Sequence, residues 1–184
     1  MALLLNIDTA TENASIALSE NGQAVLTMVN NQQRDHAAWI QPAIQNLLQE
    51  TGRTMRELQG VAVTAGPGSY TGLRVGMATA KGLCFALDIP LITENTLRVM
   101  AYAATVQSFP NGDEYRIKAG LKNGTLLCPM IDARRMEVFT ALYDLGLNIV
   151  ENPAALILDA DSFNKELENN SILFLGNGSD KWKP

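Results

Sequence analysis

The chain has 184 residues, 47% of them hydrophobic, with a formal net charge of −5 and a sequence pI near 4.9. That length supports one large domain or two small lobes around real cores. The acidic balance, with 14 Lys and Arg scattered along the chain, argues against a protein that grips nucleic acid by itself, because phosphate backbones demand a basic face.

The opening MALLLNID lacks a basic start and is cut short by Asn6 and Asp8, so it does not read as a signal peptide. No run approaches the roughly 18 to 20 apolar residues of a membrane span. Cys84 and Cys128 have no CxxC spacing and read as small buried hydrophobes of a reducing compartment. A soluble cytoplasmic protein is expected.

In chain order, LLLNID predicts a buried strand ending at Asp8, and ASIALS and QAVLTMV predict two more, joined by the Asn-Gly signal of a tight hairpin. DHAAWIQPAIQNLLQE predicts a helix over 35–50, with Asp35 as N-cap, a kink at Pro42 and an apolar stripe of Trp39, Ile40, Ala43, Ile44, Leu47 and Leu48. TMRE has capping-box spacing for a short helix. GVAVTAG predicts a strand, followed by a glycine-rich turn and a helix over 72–87. IPLITE is a strand, and NTLRVMAYAATVQ a helix capped by Asn95 or Thr96. The polar, turn-rich 108–124 stretch suggests a boundary between lobes at 1–107 and 108–184. Beyond it, 125–132, EVFTALYD and LNIVE predict three strands, DADSFNKELENN a capped helix, and ILFLG a last strand. A three-stranded meander followed by helix–strand alternation, given twice, predicts an α/β protein of two ribonuclease-H-like lobes, each with a mixed sheet flanked by helices. The second is expected to be incomplete.

The turn in TAGPGSYTGLRVG is not a phosphate loop of a known pattern: a Walker lysine is missing, and Thr71 stands where a dinucleotide fingerprint needs a small residue. The helix after it carries Gly72, Gly76 and Ala80 as a small-residue ridge, with Leu73 and Met77 on an adjacent face, and only Arg74 and Lys81 as a charged edge. A helix apolar nearly all round must be covered on both sides. The second cover is either the 35–50 helix of the same lobe or a partner, and the preferred expectation is an interface including His36, Trp39, Ile40, Ala43, Leu47, Gly72, Leu73, Gly76, Met77 and Ala80.

Chemistry is harder to find. His36 is the single histidine, a poor start for a zinc site. Ser69 lacks the GxSxG context of a nucleophile elbow. Asp8 at the end of the first strand, with Thr9 beside it, and Asp132 in the second lobe are the weak candidates for holding Mg·ATP, each with a turn or strand-end carboxylate as the plain alternative.

Four blocks in order, LLNIDTATENASIAL, RDHAAWIQPAIQNLL, GVAVTAGPGSYTGLRVGMATAKGLCFALDIPLITENTL and DARRMEVFTALYD, resemble the TsaB (YeaZ) family. The match runs over 1–144 and, less specifically, through LGNGSDKW. The resemblance implies the actin-like ATPase fold and a non-catalytic paralogue of TsaD, which transfers a threonylcarbamoyl group to N6 of the adenosine next to the tRNA anticodon. Implied partners are a TsaD-like catalytic subunit, a TsaE-like ATPase and, in isolation, a second copy, docked through the helices over 35–50 and 72–87; tRNA would be met only indirectly, and no membrane. No cofactor is implied, although nucleotide at a complex interface stays open. TsaD carries histidines spaced HxxxH, whereas here His36 is followed four positions later by Ile40. Family members generally continue beyond the last residue of this chain. The competing expectation is an actin-like ATPase or small-molecule kinase that uses Asp8 and Asp132; a metallopeptidase would need the histidine pair.

Overall fold

Strict alternation of buried and half-buried residues along β1 (Leu3–Asp8) puts Leu3, Leu5 and Ile7 on one face, and β2 (Ala14–Glu20) adds Ala14, Ile16 and Leu18. The computed structural model, which describes residues 2–32, 35–108, 114–116, 121–122 and 124–182, folds this meander back through β3 (Gln23–Asn30). Asn21 and Gly22, at φ of 55° and 83°, make the turn as the Asn-Gly pair requires. Then come α1 (His36–Glu50), a 3-10 turn at Met55–Glu57, β4 (Gly60–Thr64), α2 (Tyr70–Leu87) and β5 (Leu91–Glu94). The sheet order is β3-β2-β1-β4-β5, with β1–β3 antiparallel and β1, β4 and β5 parallel. This is the ribonuclease-H-like order expected from the elements.

α1 continues unbroken through Pro42 and turns Ile40, Ala43, Ile44, Leu47 and Leu48 into the core formed with the sheet. Each fully buried aliphatic side chain there contributes about 1.5–3 kcal/mol over leaving it in water. Asp35 is the N-cap by position but makes no capping bond with its side chain. In the 3-10 turn, Glu57 does close the expected box, accepting at 2.7 Å from the Thr54 amide.

α2 begins at Tyr70, earlier than the spacing predicts, because Ser69 caps it by accepting from the Gly72 amide at 3.3 Å. Its inner face is Gly72, Gly76, Ala80 and Cys84. These small residues let the helix lie on the bend after β1: Thr9 Oγ1 donates to the Gly72 carbonyl at 2.8 Å, and the Ser69 amide donates to the Ala10 carbonyl at 2.7 Å. A methyl at 72 would overlap the Thr9 carbonyl oxygen, and one at Gly68, where φ is +154°, would overlap that of Ala10.

The chain divides into compact units at Met1–Asn95 and Thr96–Pro184. The boundary expected at 107/108 therefore moves: Leu97 and Ala101 of α3 (Thr96–Ala103) are wholly buried in the second unit's core with Leu127, Ile131 and Tyr143. Most of the 108–124 stretch chosen for the boundary lies outside the described residues. The second unit continues through a small pair, β6 (Val106–Ser108) and β7 (Glu114–Arg116), then β8 (Leu126–Asp132), β9 (Glu137–Tyr143), β10 (Ile149–Ile157), α4 (Asn164–Leu167) and β11 (Ile172–Leu175). The main sheet is ordered β10-β9-β8-β11, with β8–β10 antiparallel and β11 parallel to β8. It repeats, among the described residues, the first four places of the other sheet. β10 runs past the expected LNIVE because it is an edge strand, where Pro153 needs no ladder partner. α4 is shorter than expected: the Asp159 side chain holds a turn with Asp161 and Ser162, and buried Phe163, edge-on to Phe174 with centroids 5.3 Å apart, takes φ of 67° and ends that turn.

A clasp closes this unit at its far end. Lys181 Nζ donates to Asp132 Oδ1 and, at 3.0 Å, to the Glu137 carbonyl, while the Asp132 amide donates to Asn177 Oδ1 at 3.0 Å. The Lys181 hydrogen bond holds the Asp132 carboxyl below its ordinary range, helped by the Arg134 amide.

Two outcomes are expected. Gly72→Ala costs about 1–3 kcal/mol by overpacking, whereas Gly82→Ala, whose methyl meets open space, stabilises α2 by about 0.5–1 kcal/mol; chemical denaturation of both variants checks the contrast. In Lys181→Ala, Asp132 titrates at a higher pH, nearer the usual carboxylate range. Its contribution to stability, present above the unfolded-state pKa and lost as pH falls through the lower folded value, shrinks accordingly. Carboxyl NMR titration of both proteins reads this directly, and an unmoved Asp132 contradicts it.

Candidate functional site

The glycine-rich turn was chosen for close approach, but the backbone it approaches is its own. Gly68, Gly72 and Gly76 all face Thr9 and Ala10. The interface expectation must be corrected on this point: Gly72, Gly76 and Ala80 are buried within their own unit, as are Ile40, Ala43 and Leu47 of α1. None of these six offers a surface to a partner. The small-residue spacing recorded a helix–strand-end contact, and the periodicity of α1 recorded its core face.

Thr9 is 0% exposed and its hydroxyl is engaged with Gly72, so it is not positioned to meet a phosphate. Asp8 is half-buried, and its Oδ1 accepts from Thr64 Oγ1 at 2.9 Å and from the Ala10 amide at 3.0 Å. The carboxylate thus ties the β1 bend to the end of β4, the strand-end role that was its plain alternative. Asp132 plays the same part in the second unit, accepting from the Arg134 amide two residues on and from Lys181. Asp8 and Thr9 are neighbours at the bend of the first unit, and Asp132 belongs to the clasp of the second.

His36 is buried at the start of α1. Its Nε2 lies 3.3 Å from the Thr11 carbonyl, an acceptor, so Nε2 carries the proton, and Nδ1 has no partner among the described residues. It anchors the β1–β2 bend to the helix. Trp39 is half-buried and packs on the first core. Cys128 hydrogen-bonds Thr140 Oγ1, and burial pushes its thiol up to about 12, which leaves it protonated and unreactive. Among the described residues no three His, Cys, Asp or Glu gather in a metal-binding group, and no helix is long and apolar enough to cross a membrane.

What remains open is the other side of α2. Tyr70, Arg74, Ala78, Lys81 and Phe85 follow helical spacing along one face, and all five are exposed, Phe85 at 92% and Tyr70 at 73%. Beside this stripe is a groove of about 430 Å³ walled by Thr64, Ala65, Leu73 and Met77. Of the residues expected at an interface, only Leu73 and Met77 belong to it. Arg74 lies over the Tyr70 ring, 5.4 Å from its centroid, and donates weakly to the Tyr70 hydroxyl at 3.4 Å. α1 adds an exposed strip of Ala37, Ala38, Gln41, Pro42, Gln45 and Asn46, without a charge. Sequence reasoning missed Tyr70 and Phe85. Tyr70 was left outside a helix started at Gly72, and Phe85 was assigned to no face; extending the spacing from Ala78 in both directions reaches each.

Comparison with known proteins accords with this architecture. A model of the TsaD family, described as tRNA N6-adenosine threonylcarbamoyltransferase, matches residues 25–167. The tRNA threonylcarbamoyladenosine biosynthesis protein TsaB of Bacillus subtilis (strain 168) is 30% identical over 183 residues, covering 98% of this chain and 73% of that protein. The Escherichia coli (strain K12) protein of the same name is 36% identical over 146 residues, 79% of this chain but 56% of that one. The solved structure of YeaZ from Pseudomonas aeruginosa superposes with a TM-score of 0.72 at 30% identity, over 87% of this chain and 70% of that one. Two ribonuclease-H-like units, each with a mixed sheet flanked by helices, make the actin-like ATPase fold. The chain belongs to the TsaD family, within its TsaB group.

Proposed function

We propose that this chain is a non-catalytic subunit in tRNA threonylcarbamoyladenosine biosynthesis, which binds and stabilises a TsaD-like transferase through the outer face of α2 and the uncharged strip of α1. The observation that carries the reading is the exposed stripe from Tyr70 to Phe85 with its groove. A soluble protein seldom leaves a ring such as Phe85 at 92% exposure, on the same helix as a groove walled by half-buried Leu73 and Met77, unless another surface covers them.

Several features support the absence of chemistry. A single histidine cannot supply an HxxxH pair. The side chains of Thr9 and Asp132 are engaged with groups of this chain. Asp8 does the work of a turn. A TsaE-like ATPase and a nucleotide held where subunits meet belong to the same proposal, with tRNA contacted through the partner rather than by this acidic chain. A second copy is the competitor for the same face.

Co-expression with a TsaD-like subunit followed by size-exclusion chromatography tests the docking. The unmodified chain is expected to elute with its partner, and Phe85→Glu or Ala78→Glu to weaken the complex by more than about tenfold, as buried anchors of interfaces do, while circular dichroism of the variants stays unchanged. Full co-elution of both variants places the interface elsewhere. Calorimetry of the isolated chain with Mg·ATP is expected to show no binding; micromolar binding abolished by Asp8→Asn favours the nucleotide-using enzyme instead.

A further inference from the structure

The stripe on α2 reads the same from either end. Aromatic rings stand at Tyr70 and Phe85, cations stand inside them at Arg74 and Lys81, and the small Ala78 sits near the midpoint. Arg74 and Lys81 are equally distant from that midpoint, and so are the two rings. Neither cation is in an ion pair among the described residues, unlike Arg53, which pairs with Glu20 and Glu57, and Lys181, which pairs with Asp132. α2 contains no Asp or Glu, and the only one in α1 is Glu50 at its last position.

This arrangement has opposite consequences for two occupants. When a second copy packs antiparallel along the stripe with the two-fold axis at that midpoint, which is where ring meets ring, symmetry sets residue i of one helix against its mirror position on the other. Arg74 then meets Lys81 of the other copy, and Lys81 meets Arg74. Both contacts are between like charges; the carboxylate nearest the line of the stripe, exposed Asp88 at the C-cap of α2, is placed by this packing beyond the first residue of the other helix, about 10 Å along the axis from Arg74. The chain as a whole carries −5, so this cationic face is a local reversal rather than a general property. A partner with carboxylates opposite the two cations gains at both places, and its approach is steered by them.

Resting on the docking face proposed above, we infer that the outer stripe of α2 selects an acidic helix of the TsaD-like subunit over a second copy of this chain, with Arg74 and Lys81 as the selecting residues. The complementary surface carries two Asp or Glu side chains about 10 Å apart along a helix, the span of seven residues at 1.5 Å each, around an apolar centre that takes Ala78 and the aromatic ends. Like-charge contact is the element that disfavours the wrong partner.

The test uses the full chain with Lys81→Glu and with Arg74→Glu/Lys81→Glu together, circular dichroism serving as the folding control. Sedimentation velocity measures self-association, and calorimetry at low and high salt measures affinity for the TsaD-like subunit. Lys81→Glu turns both self-contacts into Glu–Arg pairs, so self-association strengthens, on the order of tenfold, while affinity for the subunit falls on the order of tenfold. The double variant sets Glu against Glu; self-association returns to its original weakness and the subunit is bound more weakly still. The unmodified complex weakens as salt rises. A complex that forms but ignores both salt and Lys81→Glu overturns the selection while leaving the proposed function intact. If no complex forms with the unmodified chain, the proposed function falls, and self-association of Lys81→Glu still decides the charge argument: an unchanged or weaker dimer overturns it.

Discussion

Everything in the first unit turns on the contact between the bend after β1 and the first turns of α2. The Thr9 hydroxyl reaches the Gly72 carbonyl, the Ser69 amide reaches the Ala10 carbonyl, and glycines stand wherever a side chain would keep the two backbones apart. That one approach sets the rotation of α2 about its axis. With Gly72, Gly76, Ala80 and Cys84 facing the sheet, helical spacing leaves Tyr70, Arg74, Ala78, Lys81 and Phe85 no choice but to point outward. The interior contact and the outer surface are two consequences of a single placement.

The same contact bears on chemistry. In a fold of this type the bend after the first strand is the natural place to wrap phosphates, and backbone amides and hydroxyls there must be available to do so. Here Thr9 is buried, Asp8 is bonded to Thr64 and the Ala10 amide, and Ala10 in turn accepts from Ser69. In the second unit Asp132 is held by Lys181. Groups that an actin-like enzyme would keep for its substrate are, in this chain, partners of one another. That supports the proposal of a subunit that acts through its outer surface.

Much of this was legible in the amino-acid order, and the failures have physical causes. The meander and its Asn21-Gly22 turn could be read because two-residue hairpins demand left-handed φ. The strand order followed from the alternation of elements. α2 reads as apolar nearly all round with Arg74 and Lys81 as its charged edge, and that edge is exposed, but one-dimensional spacing does not say which side a ridge of small residues faces: Gly72, Gly76 and Ala80 would suit a foreign backbone as well as Thr9. Only the three-dimensional placement of the bend decides. His36 and Ile40 likewise fit a partner surface by spacing alone, whereas the first anchors a loop and the second is core. The boundary at 107/108 failed because Leu97 and Ala101 pack against strands that come later in the chain, a non-local contact with no local signature. Tyr70 and Phe85 escape the spacing for a simpler reason: α2 starts two residues before Gly72, and its last turn is apolar on more than one face.

The most direct measurement of the central claim is site-specific photo-crosslinking in the assembled system. A photoreactive residue at Ala78, on the outward stripe, is compared with one at Gln23, at the start of β3 on the edge of the same sheet. Ala78 is expected to crosslink to the TsaD-like subunit, and Gln23 is expected not to. Crosslinking from Gln23 with none from Ala78 would contradict the claim, because the partner would then sit on the sheet edge rather than on the helix whose orientation the buried glycines determine.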